Sequence, residues 1–74
     1  MRVYVLLFET PAALTRAFDL VLERDDLMSC AVEPEQSRLR FLAPRKIGDE
    51  LVQRIYLDGG LSWCSRHGVE AAPG

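Results

Sequence analysis

The sequence predicts a ferredoxin-like α+β sandwich, in which four antiparallel strands form one sheet and two helices cover one of its faces. Its segments read strand–helix–strand–strand–helix–strand. Right-handed crossovers give the spatial strand order 4-1-3-2, with the first strand in the centre. That strand is apolar at both parities, which is typical of a central strand. We expect one domain over residues 1–68 and a loose tail over residues 69–74.

The first strand and the first helix carry the clearest local signals. Residues 1–9 are rich in Val, Leu, Tyr and Phe without a breaker, as strands are. Thr10 and Pro11 follow as an N-cap hydroxyl and a proline at the first helical position. The helix is predicted to end near Arg24. Its apolar face recurs at helical spacing through Leu14, Ala17, Phe18, Val21 and Leu22.

The rest of the chain predicts a β-hairpin, a second helix and a last strand. Residues 27–33 and 38–42 alternate between apolar and polar side chains, with a proline-containing turn between them. A glycine inside the second apolar stripe predicts that the second helix begins only near Asp49. The Gly-Gly pair at 59–60 ends that helix, and residues 61–67 form the last strand.

Composition narrows the class of protein. The chain has 74 residues, of which 49% are hydrophobic and 27% charged, with a net charge of −2. It contains no apolar run of the roughly 18 residues that a membrane span needs, so we expect a cytoplasmic protein without a membrane partner. The acidic balance gives no overall attraction to nucleic acid, although all basic residues except Lys46 are arginines.

Two helices on one face leave the other face of the sheet, the open face, uncovered. The first strand must present one of two apolar sets there, namely Val3, Val5 and Leu7 or Tyr4, Leu6 and Phe8. We assign the second set to the open face and expect Leu39, Phe41 and Trp63 to face the helices. The predicted interface then comprises Tyr4, Leu6, Phe8, Arg38, Arg40, Leu42 and Arg66.

An exposed apolar patch with an arginine rim usually marks an interaction surface. We expect a non-enzymatic interaction or regulatory module that forms a homodimer, or binds another protein, through the open face. Loops or the tail folding over this face are a further alternative. Another is a binding domain in which Arg38, Arg40 and Arg66 hold an anionic ligand or nucleic acid. The third strand lacks the aromatic and glycine pattern of RNA-stacking sheets, which disfavours nucleic acid.

The two cysteines suggest little chemistry beyond one exposed thiol. Cys30 and Cys64 fall on opposite edge strands, about 14 Å apart, too far for a disulfide. We expect Cys30 to fill the core. Cys64 shares a parity with Arg66, which could lower the pKa of its thiol, so a thiol-dependent enzyme or carrier is a second alternative. Cys64 and His67 would point to opposite faces of a strand and could not chelate a metal together, and no cofactor is expected.

Overall fold

The computed structural model describes residues 1–24 and 29–68, and it has the predicted element order. The strands are β1 (Arg2–Phe8), β2 (Ser29–Glu33), β3 (Arg38–Ala43) and β4 (Leu61–Gly68), and the helices are α1 (Pro11–Leu22) and α2 (Arg45–Asp58). All strand pairs are antiparallel, in the order β2-β3-β1-β4. The ferredoxin-like fold is therefore confirmed, with β1 in the centre. The predicted tail over residues 69–74 and the beginning of the predicted second strand lie outside the described residues.

Local signals set the helix boundaries. Thr10 Oγ1 accepts a hydrogen bond of 3.1 Å from the Ala13 N–H, with Pro11 at the first helical position, so α1 begins as predicted. It ends at Leu22, slightly before Arg24. No helix in the described part of the chain is long and apolar enough to cross a membrane.

Helix α2 begins at Arg45, before the predicted start near Asp49. Gly48 does not break the helix, and the Tyr4 ring fills the space beside it. A Cβ atom at Gly48 would lie 2.1 Å from Cε1 of Tyr4, so the glycine lets the Tyr4 ring pack directly against the helix backbone. A short 3₁₀ turn, Pro34–Gln36, joins β2 to β3 in place of the predicted simple turn.

The core lies between the sheet and the two helices, and β1 faces it with the set that we assigned to the open face. Tyr4 and Leu6 are fully buried and Phe8 nearly so, which makes their open-face assignment wrong. The register explains the choice, because Tyr4 pairs with Phe41 and β3 has only one apolar parity. The Tyr4 and Phe41 rings stack with centroids 4.9 Å apart. As predicted, Leu39 and Phe41 face the helices.

A β-bulge reverses the predicted parity of β4. Leu61 pairs with Phe8 and Trp63 pairs with Leu7, so Ser62 is an extra residue between them. Leu61 therefore packs against the core, and Trp63 lies on the open face with 51% of its surface exposed. The prediction that Trp63 faces the helices is wrong, because strict alternation does not hold through a bulge.

The same bulge places the next two predicted open-face residues of β4 on the helix side. Cys64 pairs with Leu6 and Arg66 pairs with Tyr4, both of which face the helices. Cys64 is half-buried and packs at the edge of the core. The assignment of Arg66 to the open face is therefore wrong.

Candidate functional site

The open face carries an apolar strip, defined as Val3, Val5 and Leu7, along its central strand. These side chains are half-buried, and no helix of the described residues packs over them. Leu42 pairs with Val3 and Trp63 with Leu7, so the strip widens at both ends onto the neighbouring strands. The result is a continuous apolar surface on a face that the two helices leave uncovered.

Charged side chains of β2 and β3 border the apolar strip. Arg38 donates a hydrogen bond of 2.9 Å from Nε to Glu33 Oε1, and its Nη2 contacts the other carboxylate oxygen. This bidentate bond lowers the pKa of Glu33. Arg40, between Arg38 and Leu42, is exposed and has no ion pair among the described residues. The border thus offers one neutralised pair and one available cation.

The structure keeps only part of the predicted interface together. Arg38, Arg40 and Leu42 lie on the open face as predicted. The members that face the helices instead are Tyr4, Leu6, Phe8 and Arg66. Val3, Val5, Leu7 and Trp63 take their place. Because the sheet separates Arg66 from Arg38 and Arg40, these three arginines do not form one anion site.

Burial raises the pKa of both cysteine thiols. Cys30 is exposed on edge strand β2, so its expected role as a core filler is wrong. Burial raises the pKa of the Cys64 thiol, and the nearby Arg66 lowers it by less, so the thiolate form is disfavoured. Both cysteines are free. The described residues contain no group of three His, Cys, Asp or Glu side chains placed to hold a metal ion.

A second polar site centres on Asp49 in the second turn of α2. The Tyr4 hydroxyl donates a hydrogen bond of 2.9 Å to Asp49 Oδ1 and also lies 3.1 Å from the Arg45 carbonyl oxygen. Burial and the Asp49 carboxylate raise the pKa of Tyr4, so the hydroxyl keeps its proton and acts as a donor. The bond anchors the carboxylate above the end of the core.

Three guanidinium groups surround this one carboxylate, and we call Arg2, Arg45 and Arg66 the arginine cluster. Asp49 Oδ1 lies 3.5 Å from Arg2 Nη1 and 3.8 Å from Arg66 Nε, and Oδ2 lies 3.9 Å from Arg45 Nε. Sequence reasoning missed this site. The spacing of Arg45 and Asp49 on one helix was visible, but Arg2 and Arg66 join them only through the strand register.

The arginine cluster borders a groove between α2 and β4, the side groove, with a volume of about 410 Å³. Asp49 and Arg66 line one end of it. Val52 on α2 and Cys64 on β4 line its middle, and the other end is lined by Tyr56 and Leu61. This volume is in the range of pockets that bind small molecules.

The chain matches no protein-family model, no curated protein and no solved structure.

Proposed function

We propose that this domain is a cytoplasmic, non-enzymatic interaction module that works as a homodimer, with the open faces of two copies packed together. The apolar strip is the observation that carries the proposal, because it lies on the central strand and no helix of the described residues packs over it. Each Å² of apolar surface that the interface removes from water contributes about 25 cal/mol to the free energy of association. A domain of this size has a small core and therefore a low free energy of unfolding. Burying the open face against a second copy would increase that free energy.

Self-complementarity of the open face supports a second copy as the occupant. Arg38 and Trp63 both pair with Leu7, from opposite sides of β1. A two-fold axis parallel to β1 therefore brings Trp63 of one copy over Arg38 of the other, twice. A guanidinium over an indole ring is attractive, and the apolar strips of the two copies meet at the axis. Isologous contacts of this kind are the rule in homodimers.

The charges of the open face do not oppose this packing. Glu33 neutralises Arg38 within each copy, so the two faces do not present large charges of one sign to each other. Arg40 has a long side chain and can keep its guanidinium in water at the rim of the interface. Arg40 lies on β3 and can extend across the small Ala31 side chain of edge strand β2 to reach water.

Sedimentation of a matched pair of variants tests the homodimer. Val5→Asp places a charge in the middle of the apolar strip, whereas Leu57→Asp makes the same kind of change on α2, where Leu57 is 74% exposed. We expect the parent protein and Leu57→Asp to sediment as dimers at micromolar concentration. Val5→Asp should sediment as a monomer, and its circular dichroism spectrum should show that it is folded. A monomeric parent protein, or a dimer that persists in Val5→Asp, contradicts the proposal.

A further inference from the structure

The arginine cluster has more positive charge than its carboxylate neutralises. Among the described residues, Arg2, Arg45 and Arg66 share Asp49 as their carboxylate partner, so this part of the structure brings three cations to one anion. The three contacts measure 3.5–3.9 Å, longer than well-formed charge-assisted hydrogen bonds. The three guanidinium groups therefore make only long contacts with this carboxylate. Their side chains are also partly accessible, from 27% for Arg2 to 74% for Arg45.

The side groove adds an apolar surface directly beside this charge. Arg66 belongs to both the cluster and the groove, and Val52, Leu61 and Cys64 line the groove beyond it. Helix α2 does not fully cover this edge of the sheet, since Cys64 and Leu61 are only half-buried. A molecule lying in the groove would thus contact apolar side chains along its length and the Arg66 guanidinium at one end.

We propose that the side groove binds a small organic anion whose carboxylate or phosphate group is held by Arg66 and whose apolar body lies against Val52, Leu61 and Cys64. Charge complementarity selects the anion, because guanidinium groups bind planar or tetrahedral oxyanions with paired N–H donors. Asp49 acts as an internal competitor that holds the arginines in place when no ligand is bound. The site is on the opposite side of the sheet from the proposed dimer interface and does not depend on it.

Binding of naphthyl phosphate, measured by calorimetry at low salt, tests this proposal. Naphthol supplies the apolar body without the anion, and inorganic phosphate supplies the anion without the body. We expect naphthyl phosphate to bind at least about tenfold more tightly than either, because only it uses both parts of the site. Equal affinity for naphthol, or no binding of naphthyl phosphate, overturns the proposal.

Charge variants locate the site independently of the choice of probe. Arg66→Gln should weaken naphthyl phosphate binding roughly ten- to hundredfold, the range for losing a charge-assisted hydrogen bond. Arg54→Gln removes an exposed arginine of α2 that does not line the groove, and it should leave the affinity unchanged. Asp49→Asn removes the competing carboxylate but keeps an acceptor for the Tyr4 hydroxyl, so it should tighten binding.

A direct measurement on the unmodified protein guards against misfolding of the variants. Naphthyl phosphate should shift the backbone amide signals of Val52 and Cys64 in an NMR titration and leave those of Arg40 and Ala31 on the far side of the sheet unchanged. An affinity that is the same in Arg66→Gln as in the parent protein, or amide shifts confined to the open face, overturns the proposal.

Discussion

Gly48 shows how a single missing side chain positions a polar site. The Tyr4 ring occupies the space where a Cβ atom would be, and this close approach lets the Tyr4 hydroxyl reach Asp49 on the next part of the helix. Glycine inside a helix costs about 1 kcal/mol relative to alanine. Here that cost is offset by the packing of a buried aromatic ring against the helix and Phe41.

Gly48→Ala should therefore destabilise the protein, although glycine-to-alanine changes in helices usually stabilise. A Cβ atom 2.1 Å from the Tyr4 ring forces the ring or the helix to move, and such overpacking costs about 1–3 kcal/mol. Urea denaturation measures the change in the free energy of unfolding. Glu50→Ala, at an exposed position of the same helix, is the control and should change it by less than about 0.5 kcal/mol. A more stable Gly48→Ala protein would show that the ring moves aside at no cost.

Two adjacent strands, β2 and β3, are linked by an ion pair as well as by their backbone ladder. Glu33 and Arg38 are directly opposite each other in the register, on the open face. The hydrogen bond from Arg38 lowers the pKa of Glu33 below its ordinary value of 4.5. The folded state therefore favours the charged carboxylate more than the unfolded state does.

The stability that this pair contributes should depend on pH. It is fully present above pH 4.5, the ordinary value for the unfolded chain, and is lost as the pH falls through the lower folded-state pKa of Glu33. Glu33→Gln should lower the melting temperature slightly near neutral pH, and its difference from the parent protein should disappear in acid. Glu35→Gln, in the exposed 3₁₀ turn, is the matched control. A difference that stays constant down to strongly acidic pH would argue against a contribution from the charged pair.

Element order was predictable from the sequence, whereas side-chain direction was not. Thr10 and the helical spacing after it specify α1 locally, and the alternation of Leu39 and Phe41 identifies the buried parity of β3. β1 gives no such signal, because both of its parities are apolar. Its inner face follows from pairing with β3, which places Tyr4 beside Phe41.

The candidate sites depended on the register, which local patterns do not contain. The bulge at Ser62 places Trp63 on the open face and Arg66 on the helix side. One extra residue therefore decides which β4 side chain belongs to which candidate site. The arginine cluster joins residues from β1, α2 and β4. Three-element sites of this kind become visible only when the strands are aligned.

The whole molecule presents two separate surfaces on opposite sides of one sheet. The open face is apolar, with one ion pair and the cation Arg40 beside the apolar strip, which suits association with a second copy. The helix side carries the arginine cluster and the side groove, which suit a small anion. The sheet lies between the two surfaces, and β1 and β4 contribute residues to both.

Dimerisation through the open face should make thermal stability depend on protein concentration. Only the folded state forms the interface, so dilution shifts the equilibrium toward unfolded monomers and lowers the melting temperature. We expect the midpoint measured by circular dichroism to rise steadily over a roughly hundredfold range of concentration. Val5→Asp should remove this dependence, and Leu57→Asp should retain it. A parent midpoint that does not move with concentration would indicate that the folded unit is the monomer.

The central position of β1 determines when this strand can pair during synthesis. Both neighbours of β1 in the sheet, β3 and β4, come after it in the chain. During synthesis β1 can therefore pair on one side only after Ala43 has emerged, and on the other only after β4 has been added. Unpaired apolar strand edges favour aggregation. β1, which is apolar on both faces, therefore stays unpaired on one edge until the last strand has been synthesised.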